Sequence, residues 1–260
     1  MPSDQVQTLK RAFILLDCFT LEHPELGVRE VARMVNLSSS TTGRLLAAMT
    51  EAGIFSQNSV TRAYSLGPKV LAWAGVYTNT LDIRAKATGY LHELHLATRE
   101  TISLYILDGN DRVCVERLES PRNVRITSRI GLRLPLYAGS AGKAMLAFLP
   151  PARQKEVIHP SVLVPLTEKT IVDPDALCRE IEKIRKEGYA VSRGEWLLDA
   201  SGVAAPIFDQ SGVVTAAVTI SGPAQRFTDE AIAQYIPMIL PVAAQISREL
   251  GYRGPLSPAG

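Results

Sequence analysis

The sequence predicts an α+β protein: an N-terminal winged helix-turn-helix, a helical linker, and a C-terminal α/β domain of the sensor type. Three observations predict it. Val28 to Leu66 reads as helix, tight turn, helix and short hairpin, the order of parts in a winged helix-turn-helix. Gly67-Pro68 then punctuates the chain ahead of a helical connector. From Thr101 the apolar period shifts from helical to strand-like, and strands flanked by helices favour α+β over a doubly wound parallel sheet.

The elements follow in order. The first helix is expected from about Val6 to Phe19, with Leu9, Phe13, Leu16 and Cys18 on its apolar side, ended by His23-Pro24. Val28–Met34 forms a second helix with Val28, Val31, Ala32 and Val35 inward. Asn36-Leu37 makes the turn, Ser38 or Ser39 caps a third helix through Glu51, and Gly53 closes it. Thr41, Leu45, Ala48, Met49 and Ala52 share one side of this helix at spacings of three and four. Ser39, Ser40, Gly43, Arg44 and Ala47 share the other. An ordinary solvent face would carry several lysines and glutamates. Small residues permit close approach to base edges, hydroxyls bond to bases or phosphates, and Arg44 reaches phosphate or guanine. Ser38, Ser39, Ser40, Thr41, Thr42 and Arg44 are therefore the candidate DNA-contacting residues, with Arg62 at the base of a wing over Gln57–Thr61.

Bulk composition sets limits on partners. The 260 residues suffice for two modest domains or one large one. A net charge of only +2 means that attraction to phosphate must come from local placement rather than from a basic tail. The three cysteines, Cys18, Cys114 and Cys178, are far apart and form no metal spacing. A reduced cytoplasmic setting, with neither metal nor cofactor, is expected. The apolar run Phe13–Leu16 is broken by Asp17 and is followed by no cleavage pattern, so it does not read as a signal peptide. No uninterrupted apolar segment has the length of a membrane span.

Beyond the punctuation, Val70, Leu71 and Ala74 lie on a connector helix, and a longer helix from about Leu81 to Ala97 carries Ile83, Ala87, Tyr90, Leu91 and Leu94. Strands are expected at Ile102–Leu107, Arg112–Leu118, Val124–Ile130, Tyr189–Arg193, Val203–Phe208 and Val213–Ser221. Helices are expected at Ala141–Leu149, stopped by Pro150-Pro151, at Pro174–Lys186, closed by Gly188, and at Thr228–Leu250, where Pro237 and Pro241 should bend or interrupt the helix. The domain boundaries read as 1–67, 68–80 and 81–253, with 254–260 as a flexible tail.

The segment Gly139-Ser140-Ala141-Gly142 leads into a helix whose opening N–H groups suit a carboxylate or phosphate, and Lys143 adds positive charge. It is not a Walker loop, because Tyr137 stands where the first glycine is required. A tight strand-to-helix turn that binds nothing has the same pattern. Ala138–Gly142 also resembles a nucleophile elbow, which raises a serine hydrolase using Ser140. That reading needs an acid and then a histidine after the serine; His159 and Glu156 are the sole candidates in that order. Thr219 and Ser221 alternate with an apolar face and can line a small polar pocket, as can Ser192, while Arg193 can pair with an acidic ligand or with Glu195.

The whole chain resembles the IclR family of bacterial transcriptional regulators. The resemblance rests on LKRAFILLDCF, VREVARMVNLSSSTTGRLLAAMTEAGIF and YSLGPKVLAW in the first half. In the second half it rests on Arg122–Ile130, LPLYAGSAGKAMLAFLP, Thr170–Asp173, IRKEGYAVSRGE, GVAAPIFD and AVTISGP. It implies a GAF-like effector domain, a homodimer or dimer of dimers on a palindromic double-stranded operator, no enzymatic activity, and control by a small organic or aromatic acid. Members that bind small keto acids use the helix-opening loop, a carboxylate, a cysteine and two hydroxyls. Here these positions fall on Ser140, Ala141 and Gly142, on Ser192 with Arg193 beside it, on Gly202, and on Thr219 and Ser221. Asn123, Ile126, Leu134 and Ala200 match wall positions. The missing acid and cysteine argue against the same keto acid and allow a bulkier acid, an aromatic carboxylate among them. Ser39 and Gly43 also depart from the family's usual recognition helix. A sensor acting on a protein partner without DNA is the remaining alternative.

Overall fold

Helix α1 (Asp4–Asp17) opens the chain, and its second half, from Ala12, together with the residues after it reaches a core. Leu15, Cys18 and Phe19 are buried there, whereas Leu9 and Phe13, expected on the buried side, are exposed. The computed structural model describes residues 4–80, 82–126 and 128–254. It divides into two compact units, Met1–Thr80 and Leu81–Gly260.

In the first unit α2 (Val28–Met34) is fixed by a reciprocal start: Glu30 Oε2 accepts from the Gly27 amide at 2.7 Å. Asn36 turns the chain with φ of 53°, a left-handed conformation that asparagine tolerates better than most residues. Helix α3 (Ser39–Glu51) starts at Ser38, whose Oγ accepts from the Thr41 amide at 3.1 Å. Its buried face is Thr42, Leu46 and Met49: Met49 lies inward as expected and Leu45 is half-buried against the core, but Thr42 and Leu46 replace Thr41 and Ala48. Centring the face on Leu46 and leaving Ala48 outside buries more apolar area, since Leu45 and Met49 still reach the core. Strands β1 (Phe55–Gln57) and β2 (Tyr64–Leu66) pair antiparallel, and α4 (Pro68–Thr80) follows.

The second unit is built on a six-stranded antiparallel sheet. Its strands are β3 (Thr101–Asp108), β4 (Asp111–Leu118), β5 (Arg133–Pro135), β6 (Ala190–Arg193), β7 (Ala200–Phe208) and β8 (Val214–Pro223), in the spatial order β5-β4-β3-β8-β7-β6. One face packs on α5 (Asp82–Thr98) and α9 (Asp229–Glu249) through Ile83, Leu91, Val203, Val218 and Ile239. The other face packs on α6 (Ser140–Leu146), α7 (Pro151–Val157) and α8 (Pro174–Glu187) through Leu136, Met145, Leu177 and Ala204. Antiparallel pairing throughout matches the α+β expectation over a parallel one. Pro150-Pro151 does more than stop a helix, since Pro151 opens α7 in the first helical turn. Helix α9 is not interrupted at Pro237 or Pro241.

Two departures bear on the site. No strand forms over the described part of Val124–Ile130; β5 takes the place beside β4 instead. The carbonyls of Val124 and Ile126 accept from Arg226 Nη1 and Arg117 Nη2, so side chains satisfy acceptors that a neighbouring strand would have used. Secondly, β4 carries a bulge. Leu104 opposes Glu116 while Tyr105 opposes Cys114, which leaves Val115 extra. The extra residue reverses the phase of alternation, so Arg117, opposite Ser103, shares the sheet face of Cys114 and Arg112. Glu116 is turned to the other face, where it pairs with Arg84 of α5 at 2.6 Å. Among the described residues no helix is long and apolar enough to cross a membrane. Leu81, Thr127 and residues 255–260 of the expected tail lie outside the described residues.

Candidate nucleic-acid interface and ligand cleft

Helix α3 presents Ser39, Ser40, Arg44, Ala47 and Ala48 to solvent. Arg44 makes no ion pair among the described residues, so its guanidinium is not committed within the chain. Ser38 is exposed but already caps the helix, and its hydroxyl donates to Thr41 Oγ1 at 2.9 Å. Thr42 is a correction. It is fully buried and its hydroxyl has no partner, so it belongs to the core and not to the outer face. Arg33, in the last turn of α2, is a further exposed guanidinium that the sequence reading did not single out.

The wing is braced by its own side chains. Asn58 Oδ1 accepts from the amides of Val60 and Thr61 at 2.9 and 3.1 Å, and the Asn58 carbonyl accepts from the Arg62 amide at 3.0 Å. Arg62 has φ of 61° and its carbonyl accepts from Gln57 Nε2. A left-handed arginine in a short turn is held only where such bonds over-determine it. Its side chain remains exposed at the wing base.

A cleft lies in the second unit, on the sheet face that carries α6. Cross-strand register builds its floor. Arg117, Ser103 and Thr219 form one row across β4, β3 and β8. Ser221, Gly202 and Ser192 form the next across β8, β7 and β6. Tyr105, Arg112, Ile126, Trp196 and the opening of α6 at Ser140 and Ala141 close it in, leaving a narrow space. The glycine at 202 keeps the space beside α6 open, because a Cβ there would stand 3.1 Å from both Ser140 Oγ and the Ile220 carbonyl oxygen.

The loop before α6 is supported from beneath by a guanidinium. Arg112 Nη1 donates to the carbonyls of Pro135 and Ala138, each at 2.6 Å. A Cβ at Gly139 would lie 2.8 Å from Arg112 Nη2, and one at Gly142 only 2.5 Å from Arg112 Nη1. The two glycines thus make room for Arg112, which is 2% exposed and stacks over the Tyr105 ring at 5.4 Å. Burial pushes the Arg112 pKa below the usual guanidinium range, with Tyr105 and Glu195 opposing the shift. It also pushes the phenol of Tyr105 and the thiol of Cys114 up, the latter to about 11.

Several expected site residues do other work. Lys143 is buried and donates to Glu180, Glu195 and the Val191 carbonyl at 2.6–2.9 Å, so its charge is neutralised beneath the loop. Glu195 Oε2 also takes the Gly139 amide at 2.9 Å. Arg193 pairs with Asp229 and donates to the Phe227 carbonyl, pointing away from Ser192 as strand alternation requires. Asn123 is exposed, Leu134 lies on β5 opposite Arg112, and Gly142 faces that guanidinium; none of the three lines the cleft. Ile126, Ser140, Ala141, Ser192, Ala200, Gly202, Thr219 and Ser221 do line it. Ser192 Oγ is buried without a hydrogen-bond partner. Tyr105, Arg112, Arg117 and Trp196 line it too and were not anticipated. His159 is exposed and bonds to Ser161, so Ser140 has no histidine beside it and the hydrolase constellation is not assembled.

Residues 8–59 match the IclR helix-turn-helix domain and residues 75–248 match the bacterial transcriptional regulator IclR C-terminal domain. The chain belongs to the IclR family. It is 32% identical to the HTH-type transcriptional regulator KipR of Bacillus subtilis, over 95% of this chain and 98% of that protein. It is also 32% identical to the regulator KdgR of Escherichia coli, over 96% and 94%. The crystal structure of Thermotoga maritima IclR superposes with a TM-score of 0.79 at 35% identity, covering 95% of this chain and all of that one. An IclR homologue from Microbacterium hydrocarbonoxydans in complex with 4-hydroxybenzoate superposes with a TM-score of 0.81 at 27% identity, covering 94% and 98%. This IclR-family chain is accordingly a ligand-responsive, DNA-binding transcriptional regulator and not an enzyme.

Proposed function

We propose that this regulator controls a catabolic operon from the cytoplasm, as a homodimer or dimer of dimers on a palindromic operator, in response to a small organic or aromatic acid. Ser39, Ser40 and Arg44 read or position the DNA, with Ser38 and Thr41 holding the start of α3 and Arg62 on the backbone. The acid sits in the cleft against Ser140, Ala141, Ser192, Thr219 and Ser221. The single observation that carries the effector reading is this cleft: it is lined by hydroxyls and guanidinium groups, and no carboxylate lines it among the described residues. The relative crystallised with 4-hydroxybenzoate supports the choice of an acid.

A mobility shift with the upstream promoter region, titrated with salt, tests the DNA half. Specific binding is expected to weaken steeply as salt rises. Arg44→Ala should cost about 1–3 kcal/mol if the guanidinium reads a base; specific binding indifferent to this change removes α3 as the reading helix. A thermal-shift screen of acids on the full chain tests the effector half. A ligand at a hundred times its dissociation constant adds about 2.7 kcal/mol of stability.

A further inference from the structure

We infer that the ligand of this cleft is a dianion, an acid with two carboxylates or their equivalent, and that Arg117 and Arg112 supply its two positive counter-charges. The inference rests on the reading of the cleft as the effector site and goes beyond it to the charge of the ligand. Two guanidinium groups line one narrow space. Each is held in place by neutral oxygens: Arg112 by the carbonyls of Pro135 and Ala138, Arg117 by Ser103 Oγ and the Ile126 carbonyl. Neither forms a direct ion pair with a described carboxylate: Glu116 is engaged with Arg84 on the opposite sheet face, and Glu195, which acts on Arg112 through space, is bonded to Lys143 and the Gly139 amide. The Nε atoms of both are buried and lack an acceptor, as is Ser192 Oγ across the floor.

Buried charges in proteins are ordinarily paired, because an unpaired one loses its hydration without compensation. Arg112 is buried and Arg117 half-buried with a buried Nε, no described acid lines the cleft, and its two guanidinium groups carry a formal charge of +2. A monoacid neutralises one guanidinium and leaves the other as it was. A diacid neutralises both, and each carboxylate accepts the paired N–H groups that a guanidinium presents in one plane. The geometry of the strand makes this a built arrangement. The bulge at Val115 is what brings Arg117 onto the face of Arg112.

The test compares acids of one skeleton that differ by a single charge, on the full-length protein, by isothermal titration calorimetry. Succinate is set against succinamate, and terephthalate against 4-carbamoylbenzoate. At least one diacid is expected to bind about tenfold or more tightly than its monoamide, the gain of one charge-assisted hydrogen-bonded pair. Arg117→Gln should bring the two within about threefold by weakening the diacid alone. The ligand series on the unaltered protein decides the matter even where that variant fails to fold, which its circular dichroism and apo melting temperature report. Binding without a diacid preference in either pair overturns the dianion assignment and leaves the effector-site reading intact. A diacid preference that survives Arg117→Gln overturns the role of Arg117. Failure of every acid, diacid or monoacid, to bind overturns both readings.

Discussion

Thr42 shows how one residue's burial changes its assignment. By type and position it belongs with the hydroxyls of the outer face, yet it is fully buried among Leu46 and Met49 with no partner for its hydroxyl. An orphaned buried hydroxyl costs about 1–3 kcal/mol of desolvation. Thr42→Val keeps the shape and removes the orphan, so it should raise the stability of the first unit by roughly 1 kcal/mol. Urea unfolding of the two proteins measures this, and a mobility shift should find their operator affinities equal. A lower midpoint would mean that the hydroxyl finds a partner within the core, and weakened DNA binding would return Thr42 to the interface. The same scale explains which site residues were legible. Ser140, Thr219 and Ser221 announce themselves through a glycine-flanked helix start and a strand of alternating hydroxyls, both local patterns. Arg112 and Arg117 do not. Their meeting depends on a one-residue bulge that strand alternation alone does not anticipate, and on two glycines that are distant in sequence from the guanidinium they admit.

At the scale of elements, capped helices were the most legible. Asp173 accepts from the Ala176 amide at 2.7 Å and Gly188 ends α8 with φ of 79°, so both ends follow from side-chain and backbone chemistry within a few residues. Val124–Ile130 has the period of a strand but forms none over its described residues, because the Val124 and Ile126 carbonyls are taken by Arg226 and Arg117, contacts that no local period encodes. Helix α9 is the instructive middle case. Pro237 and Pro241 are four residues apart on its exposed side, while Ile239, Ala243 and Ile246 anchor it to the sheet. Tertiary packing thus overrides a propensity penalty of about 3 kcal/mol per interior proline. Pro237→Ala restores an amide donor and relieves the ring's clash with the preceding turn. It should raise the stability of the second unit by about 1–3 kcal/mol, less than the full penalty because the native helix has already relaxed around the ring. Thermal unfolding compares the two proteins, and an unchanged or lower melting temperature would mean that the ring itself packs usefully.

The whole molecule leaves one stretch of the first unit unexplained as a monomer. Helix α4 carries a single charged residue, Lys69, yet Leu71 is 76% exposed and Trp73 and Val76 are exposed with it. On α1, Val6, Leu9 and Phe13 fall on one side at spacings of three and four and are likewise exposed. Exposed apolar stripes of this kind are costly in water and mark surfaces for contact with another chain. The proposed palindromic operator would ask for two reading helices at a fixed separation, and a second copy of this chain is the partner that proposal names. Sedimentation of the unaltered protein should then give a dimer or larger assembly at micromolar concentration. Leu71→Asp, and separately Phe13→Asp, should shift it toward monomer by placing a charge in the contact. A monomer engages half-sites one at a time and forfeits the effective concentration that tethering provides, typically 10²–10⁴-fold. Affinity for the full operator should fall by about that factor, while affinity for an isolated half-site stays within about threefold, since Arg44 and the wing are untouched. A protein that sediments as a monomer and binds the full operator no better than a half-site would assign α1 and α4 some other covering.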